Sequence, residues 1–394
     1  MNGYNYIFYS NQKDYNPSDV FQKFFLEKKI NFYTIETGNY IFNKKKNLKF
    51  SIFFRNKKLK QKIVKSLGYN NFINIFLFNL HNLIFFFKNR NSIIKENFNN
   101  ILIAQGIANL FISKIINFFL KKKLKIIYFN GDIIPENPQE TNLYPQKKNS
   151  ILNYLLFYMN FILRFIILKT TKTLYYNEKI YYWDKKKFGK IHSFSIIPFL
   201  FDTNIKKAKN IKKKRFEFVH LGNIERSNGI IETIKILNDL EKKGIKSRLT
   251  VISSKIKSFY KNNEIKKYKN KIDIRLFDFL EEKKLKNILR SATFGMALYF
   301  FKDKKRRSNV MNGKVYFYLK NNLPVITTNY CSFGNDIKLK KLGFCSNDHN
   351  MILNFITNLK LNELYKIRKN IINYMEINSY RNKIQGVLKS INYL

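Results

Sequence analysis

The sequence predicts an α/β protein of two doubly wound domains facing each other across a cleft, each a parallel sheet with helices on both faces. Three observations carry that expectation. Short apolar runs alternate with helical stretches along most of the chain. At 394 residues the chain is longer than the roughly 250–300 residues at which one hydrophobic core stops growing. The alternation lapses once, where Lys206, Lys207, Lys209, Lys212, Lys213 and Lys214 crowd together without core spacing.

Residues 4–9 read as a buried strand. The run Asn16-Pro17-Ser18-Asp19 then offers capping side chains and acidic charge at the start of a helix over 20–29. Strands follow over 31–36, 101–105 and 125–129, with a helix over 107–120. Two stretches, 72–87 and 151–168, approach membrane length. Asn74, Asn79, His81 and Asn82 interrupt the first, and Asn153, Asn160 and Arg164 the second. Each falls short of the roughly 20 apolar residues of a spanning helix, so both are expected as buried or interfacial helices. A strand over 173–176 closes this half. Beyond the lysine run, strands are expected over 216–221, 249–253, 273–277, 294–300, 324–328 and 343–346, with helices over 229–243, 255–269, 281–290 and 313–319. The implied division is an N-terminal domain over 1–205, a basic linker over 206–215, and a second domain over 216–370. A last helix over 371–394 is expected to pack back on the first domain. Open parallel sheets bind ligands at the carboxyl ends of their strands.

Composition narrows the function classes. An apolar fraction of 45%, with 16% aromatic residues, excludes a collagenous or generally disordered chain. The net charge of +48 favours a phosphate-rich ligand, an anionic membrane face or nucleic acid, although lysines spread from Lys13 to Lys389 also fit drift at solvent positions. No RNP, KH, zinc or helix-turn-helix signature accompanies that charge, so nucleic acid is not the expected partner. Cys331 and Cys345 make no disulfide framework and fit a reducing cytoplasm. His81, His192, His220 and His349 show no metal-ligand spacing. Residues 1–9 lack the basic-then-apolar pattern of a secretory signal.

Two segments carry chemistry. In the first, a strand runs into Leu221-Gly222-Asn223-Ile224-Glu225-Arg226-Ser227-Asn228-Gly229 and then a helix. Amides at such a helix start, with the positive end of its dipole, bind phosphate; the alternative is that Gly222 and Gly229 serve only a tight turn. The second segment opens on Gly313-Lys314 and runs through Tyr318-Leu319 to Pro324-Val325-Ile326-Thr327-Thr328. Lys314 opposes the dipole at the start of its helix. It is read either as a phosphate ligand or as one more solvated amine.

Together these segments resemble the C-terminal half of the GT-B glycosyltransferases, in particular the large retaining group (family 4-like) that uses nucleotide-diphosphate sugars. That group has a strand running into G-R-L-x-x-x-K-G and, later, K-x-x-E-Y-L-x-x-G-x-P-V-I-x-T. The matches are Gly222 and Gly229, then Lys314, Tyr318, Leu319, Pro324, Val325, Ile326 and Thr328. The segment from Asp273 to Leu285, with Phe279, resembles the one that packs on the nucleobase. The stretch from Ile127 to Glu136 resembles I-Y-x-x-x-D-x-x-P-E through Tyr128, Asp132, Pro135 and Glu136, and Tyr15-Asn16-Pro17-Ser18 resembles the family's first loop.

The resemblance implies two Rossmann-like domains and sugar transfer from a nucleotide-diphosphate sugar, which is a substrate, with no cofactor and no metal. It assigns the donor to Gly222, Asn223, Arg226, Gly229, Phe279, Lys314 and Tyr318. Asp132 and Glu136 become the carboxylates of the acceptor side, each equally readable as a helix cap. The acceptor implied is a saccharide or lipid-linked saccharide of surface polysaccharide synthesis, handled in the cytoplasm or peripherally on the inner membrane face. The chain departs from the pattern at Asn223 and Asn228, where the family has Arg and Lys, and at Phe317, where it has an acidic residue. Arg226 is placed to substitute for the missing cations. The alternatives are a basic nucleic-acid-binding protein, a catalytically degenerate relative and a nucleotide-sugar epimerase.

Overall fold

The computed structural model describes residues 4–10, 18–42, 45–55, 57–65, 71–120, 123–130, 151–175, 178–196, 201, 215–222, 224, 228–253, 256, 259, 262–268, 271–278, 280–299, 313–331 and 333–393. The chain divides into two compact units, Met1–Leu200 with Lys383–Leu394, and Phe201–Asn382. Residues 202–214, which hold most of the basic run, lie outside the described residues.

The first unit is built on an eight-stranded sheet of β1 (Tyr4–Ser10), β2 (Asn31–Phe42), β3 (Lys45–Phe54), β4 (Lys57–Lys65), β5 (Asn99–Gln105), β6 (Lys125–Asn130), β7 (Lys172–Tyr175) and β8 (Phe194–Ile196). Its order is β4-β3-β2-β1-β5-β6-β7-β8. Strands β2, β1, β5, β6, β7 and β8 run parallel, and the central β1 and β5 carry the near-continuous apolar sequence of strands buried on both faces. Two strands depart from the wholly parallel expectation: β3 and β4 add antiparallel to β2 as a meander. Their lysines hid the strand period from the sequence. Phe50 pairs with Lys62 and Ile52 with Lys60 across the ladder, so apolar core residues on β3 face charged residues on an edge strand. Edge lysines of this kind discourage further strand pairing.

Helices α1 (Ser18–Glu27), α2 (Asn71–Lys88), α3 (Arg90–Ile93), α4 (Ile107–Phe119), α5 (Ile151–Thr170) and α6 (Glu178–Phe188) are the described helices in the Met1–Leu200 part of the first unit. The interrupted stretches 72–87 and 151–168 are therefore helices α2 and α5. Among the described residues, no helix is long and apolar enough to cross a membrane. The arginine that interrupts the second stretch has a structural partner. Arg164 on α5 and Asp184 on α6 are both buried and paired, with Nη2 donating to the two carboxylate oxygens at 2.8 and 2.9 Å. The Asn130 amide at the end of β6 and the Tyr175 hydroxyl at the end of β7 donate to the same carboxylate at 2.7 and 3.1 Å. Burial pushes the Asp184 carboxyl above the usual range, against the pull of Arg164 and the two neutral donors.

The second unit is built on a six-stranded parallel sheet of β9 (Phe216–Leu221), β10 (Ser247–Ile252), β11 (Asp273–Phe277), β12 (Phe294–Ala297), β13 (Val325–Thr327) and β14 (Gly343–Cys345), in the order β11-β10-β9-β12-β13-β14. Its described helices are α7 (Ile230–Lys242), α8 (Asn263–Lys266), α9 (Glu282–Ser291), α10 (Gly313–Lys320), α11 (Gly334–Leu339), α12 (His349–Asn358) and α13 (Leu361–Ile377), while α14 (Tyr380–Tyr393) belongs to the first unit from Lys383 on, so the stretch 371–394 expected as one helix is divided between α13 and α14. Of the helix expected over 255–269, α8 is the segment described, its start capped by the Asn262 side chain, which accepts from the amides of Glu264 and Ile265. Strand β12 ends at Ala297, short of the expected residue 300. The Thr327 hydroxyl donates to the Ala297 carbonyl at 2.8 Å. The Thr328 hydroxyl donates to the Tyr299 carbonyl at 3.1 Å and accepts its N–H at 3.2 Å, so side chains take over from the ladder there.

Candidate functional site

The order of the second sheet locates the site. From β9 the chain moves outward through β10 to β11, then returns to the other side of β9 at β12 and moves outward again through β13 to β14. The reversal makes a switch point between β9 and β12, and at their carboxyl ends the connecting chains diverge and leave a crevice. Both sequence-predicted glycines sit there.

Gly222 follows β9 with φ +97°, and its N–H donates to the Ile252 carbonyl at the end of β10 at 2.9 Å. That amide is committed to the scaffold. A Cβ on Gly222 would lie 3.3 Å from Cε of Lys314, so the lysine stem from α10 rests against this glycine. The Lys314 ammonium lies 5.3 Å from the centre of the Tyr299 ring, a cation–π contact that orients the amine beyond the end of β12. Gly229 caps α7 in the left-handed region at φ +65°, and a Cβ there would lie 2.5 Å from both Cβ and O of Leu298. Glycine is therefore needed twice over, for its conformation and for the close approach of α7 to the chain leaving β12. The Thr328 bonds to Tyr299 hold that chain in place. One continuous set of contacts thus runs from Gly222 through Lys314, Tyr299 and Leu298 to Gly229. It joins the Lys314 stem, through Tyr299 and its neighbour Leu298, to Gly229 at the amino end of a 13-residue helix, whose first amides have no acceptor within the helix.

Tyr318 occupies a different position from the one a donor ligand would take. Its side chain is fully buried. The hydroxyl accepts the Leu221 N–H at 2.9 Å and lies 3.1 and 3.3 Å from the carbonyls of Val219 and Met296, with one proton to give them. The β9–β12 ladder stops at the pair Gly295 and Val219, so the tyrosine hydroxyl replaces the next rung where the strands part. Its ring fills the space that a side chain on Gly295 would need. Tyr318→Phe is expected to destabilise the second unit by about 1–3 kcal/mol, because the Leu221 amide loses its acceptor. Native-state hydrogen exchange at Leu221 checks this: the amide should exchange faster in the variant, and an unchanged rate would show that the hydroxyl is not its acceptor.

Asn223, Arg226 and Phe279 on the donor side, and Asp132 and Glu136 on the acceptor side, lie outside the described residues. Phe317, where the resembled pattern has an acidic residue, is 47% exposed on α10, and its ring offers no carboxylate to a ligand. Tyr299 was not legible as a site residue, because an aromatic at the end of a strand has no sequence signal that separates it from core.

No protein-family profile matches the chain, and no curated protein matches it by sequence. Solved structures do resemble it. A sucrose-phosphate synthase from Thermosynechococcus elongatus superposes with a TM-score of 0.69 at 8% identity over 99% of each chain. A UDP-forming α,α-trehalose-phosphate synthase from Burkholderia xenovorans gives 0.65 at 10% identity over 100% of this chain and 99% of that one. The E. coli trehalose-6-phosphate structure bound with UDP-2-fluoro glucose gives 0.64 at 10% identity over 99% of each. Likeness at this identity speaks to architecture, and it extends over the whole chain: with two Rossmann-like α/β units, the protein has the GT-B fold.

Proposed function

We propose that the protein is a glycosyltransferase that moves a sugar from a nucleotide-diphosphate sugar to a hydroxyl acceptor. One observation carries the reading: at the switch point of the second sheet the Lys314 stem rests against Gly222 and its ammonium lies over the Tyr299 ring, next in sequence to Leu298, which packs on Gly229 at the amino end of α7. The names of the trehalose-phosphate and sucrose-phosphate synthases support a sugar-nucleotide donor and a saccharide acceptor. In this reading Lys314 and Arg226 draw charge from the diphosphate as its bond to the anomeric carbon breaks, and the α7 amino end adds its dipole. The acceptor oxygen bonds to that carbon, and its proton passes to a base, for which Asp132 and Glu136 are the candidates. Phe279 covers a face of the nucleobase. With two cations on the leaving group, no divalent metal is assigned to the step.

The net charge of +48 favours an anionic acceptor, a phosphorylated or lipid-linked saccharide such as serves surface polysaccharide synthesis. Incubation with labelled nucleotide sugars tests the class. Nucleotide released only when an acceptor is present, and at the same rate in EDTA, supports metal-independent transfer. A sugar changed without nucleotide release means an epimerase, and no turnover of any donor means a degenerate relative.

A further inference from the structure

Helices α2, α4 and α5 cover one side of the first sheet. Phe85 and Phe86 of α2, Leu110 and Ile116 of α4, and Ile167 of α5 join a single buried cluster with Ile7 and Leu102 of the strands. Their opposite faces therefore share one outer surface, and that surface is apolar. On α5, Tyr158, Ile162, Phe165 and Ile166 recur at the spacing of one helical face and are 44–57% exposed. On α4, Phe118 is 76% exposed. Such a stripe on a second face of a helix already buried on its first is not required by the core.

The charges on α4 and α5 themselves have one sign. No Asp or Glu occurs between Glu96 and Asp132 or between Glu140 and Glu178, the stretches that contain α4 and α5. Lysines fringe the aromatics instead. The Lys169 ammonium lies 5.5 Å from the Phe165 ring centre, that of Lys123 5.9 Å from Phe118, and Lys114 bridges α4 to α5 through the Thr170 hydroxyl at 3.3 Å.

We propose that the outer face of α4 and α5 docks on an anionic phospholipid bilayer, lying in its interface with the aromatic and aliphatic side chains inserted and the lysines among the headgroups. The proposal goes beyond the transferase reading and does not depend on it. Two features select this occupant. The apolar stripe gives insertion a driving force that a soluble polyanion would not use. The lysine fringe opposes self-pairing, since a second copy would set cations against cations, whereas acidic headgroups complement them.

Flotation of the full chain tests it, with equimolar phosphatidylglycerol and phosphatidylcholine vesicles against phosphatidylcholine alone. The doubly substituted Phe118→Ser, Ile162→Ser chain is compared, both sites being exposed and its melting temperature expected to match the parent. The parent should bind the anionic vesicles at least about tenfold more tightly than the neutral ones. The double substitution should weaken that binding about tenfold or more. Equal binding to both vesicles, or binding to anionic vesicles that the double substitution leaves intact, overturns the proposal. So does a dimer in sedimentation that the substitution abolishes, which would assign the face to a second copy. Donor binding is unaffected by any of these outcomes, so the transferase reading is judged separately.

Discussion

Gly229→Ala is expected to destabilise the second unit by roughly 3 kcal/mol and to abolish nucleotide binding at the switch point. Part of the loss is conformational, since a residue with a side chain at φ +65° gives up about 1–2 kcal/mol. The rest is steric. The new methyl would lie 2.5 Å from Cβ and O of Leu298, and backbone must move to accept it, at a cost typically of about 1–3 kcal/mol. Gly244→Ala supplies the control, because Gly244 has φ +73° and nothing within 4 Å of a built Cβ. Denaturant unfolding of the two variants should separate the terms, with Gly244→Ala showing the conformational part alone. Equal losses at both positions would mean that α7 does not approach Leu298 as closely as described.

The Arg164–Asp184 pair predicts a second large effect. Asp184→Asn should destabilise the first unit by about 3–5 kcal/mol, because the guanidinium then stays buried without a counter-charge. Replacing both residues, Arg164→Met with Asp184→Leu, should restore part of that loss, since no unpaired charge remains, while the Asn130 amide and the Tyr175 hydroxyl lose the acceptor that Asp184 gave them. Thermal unfolding of Arg164→Met, Asp184→Leu and the double variant measures the coupling. Additive losses would show that the two side chains do not act as a pair.

Most of the parallel strands were legible because burial leaves apolar runs bounded by turn residues, whereas β8, three residues at the sheet edge with Phe194 exposed, was not expected. Strands β9 and β11 have the bounds expected from sequence. Strands β3 and β4 were not, because one lies on the sheet edge and carries lysines where a period-2 apolar pattern would be sought. In the candidate site, Gly222, Gly229 and Lys314 were visible as residue types out of place: two glycines around a helix start, and a cation at the wrong end of a dipole. The part played by Tyr318 was not visible, since its hydroxyl meets Leu221, 97 residues away, and only the fold brings them together. The same holds for Thr328 and Tyr299, and for Arg164 and Asp184, which lie on two different helices with a strand between them.

The claim on which the functional reading depends is that the β9–β12 switch point grips a pyrophosphate through Lys314. Thermal-shift titration of the parent chain and Lys314→Met with UDP, GDP, CMP and TDP sugars tests it directly. The methionine keeps the stem against Gly222 and removes the charge. The account predicts that at least one diphosphate sugar raises the melting temperature of the parent and that its nucleoside alone does not. It also predicts that Lys314→Met weakens the sugar nucleotide about tenfold or more without changing the melting temperature of the free protein. If no nucleotide sugar shifts the parent, or Lys314→Met binds as tightly as the parent does, the account is contradicted.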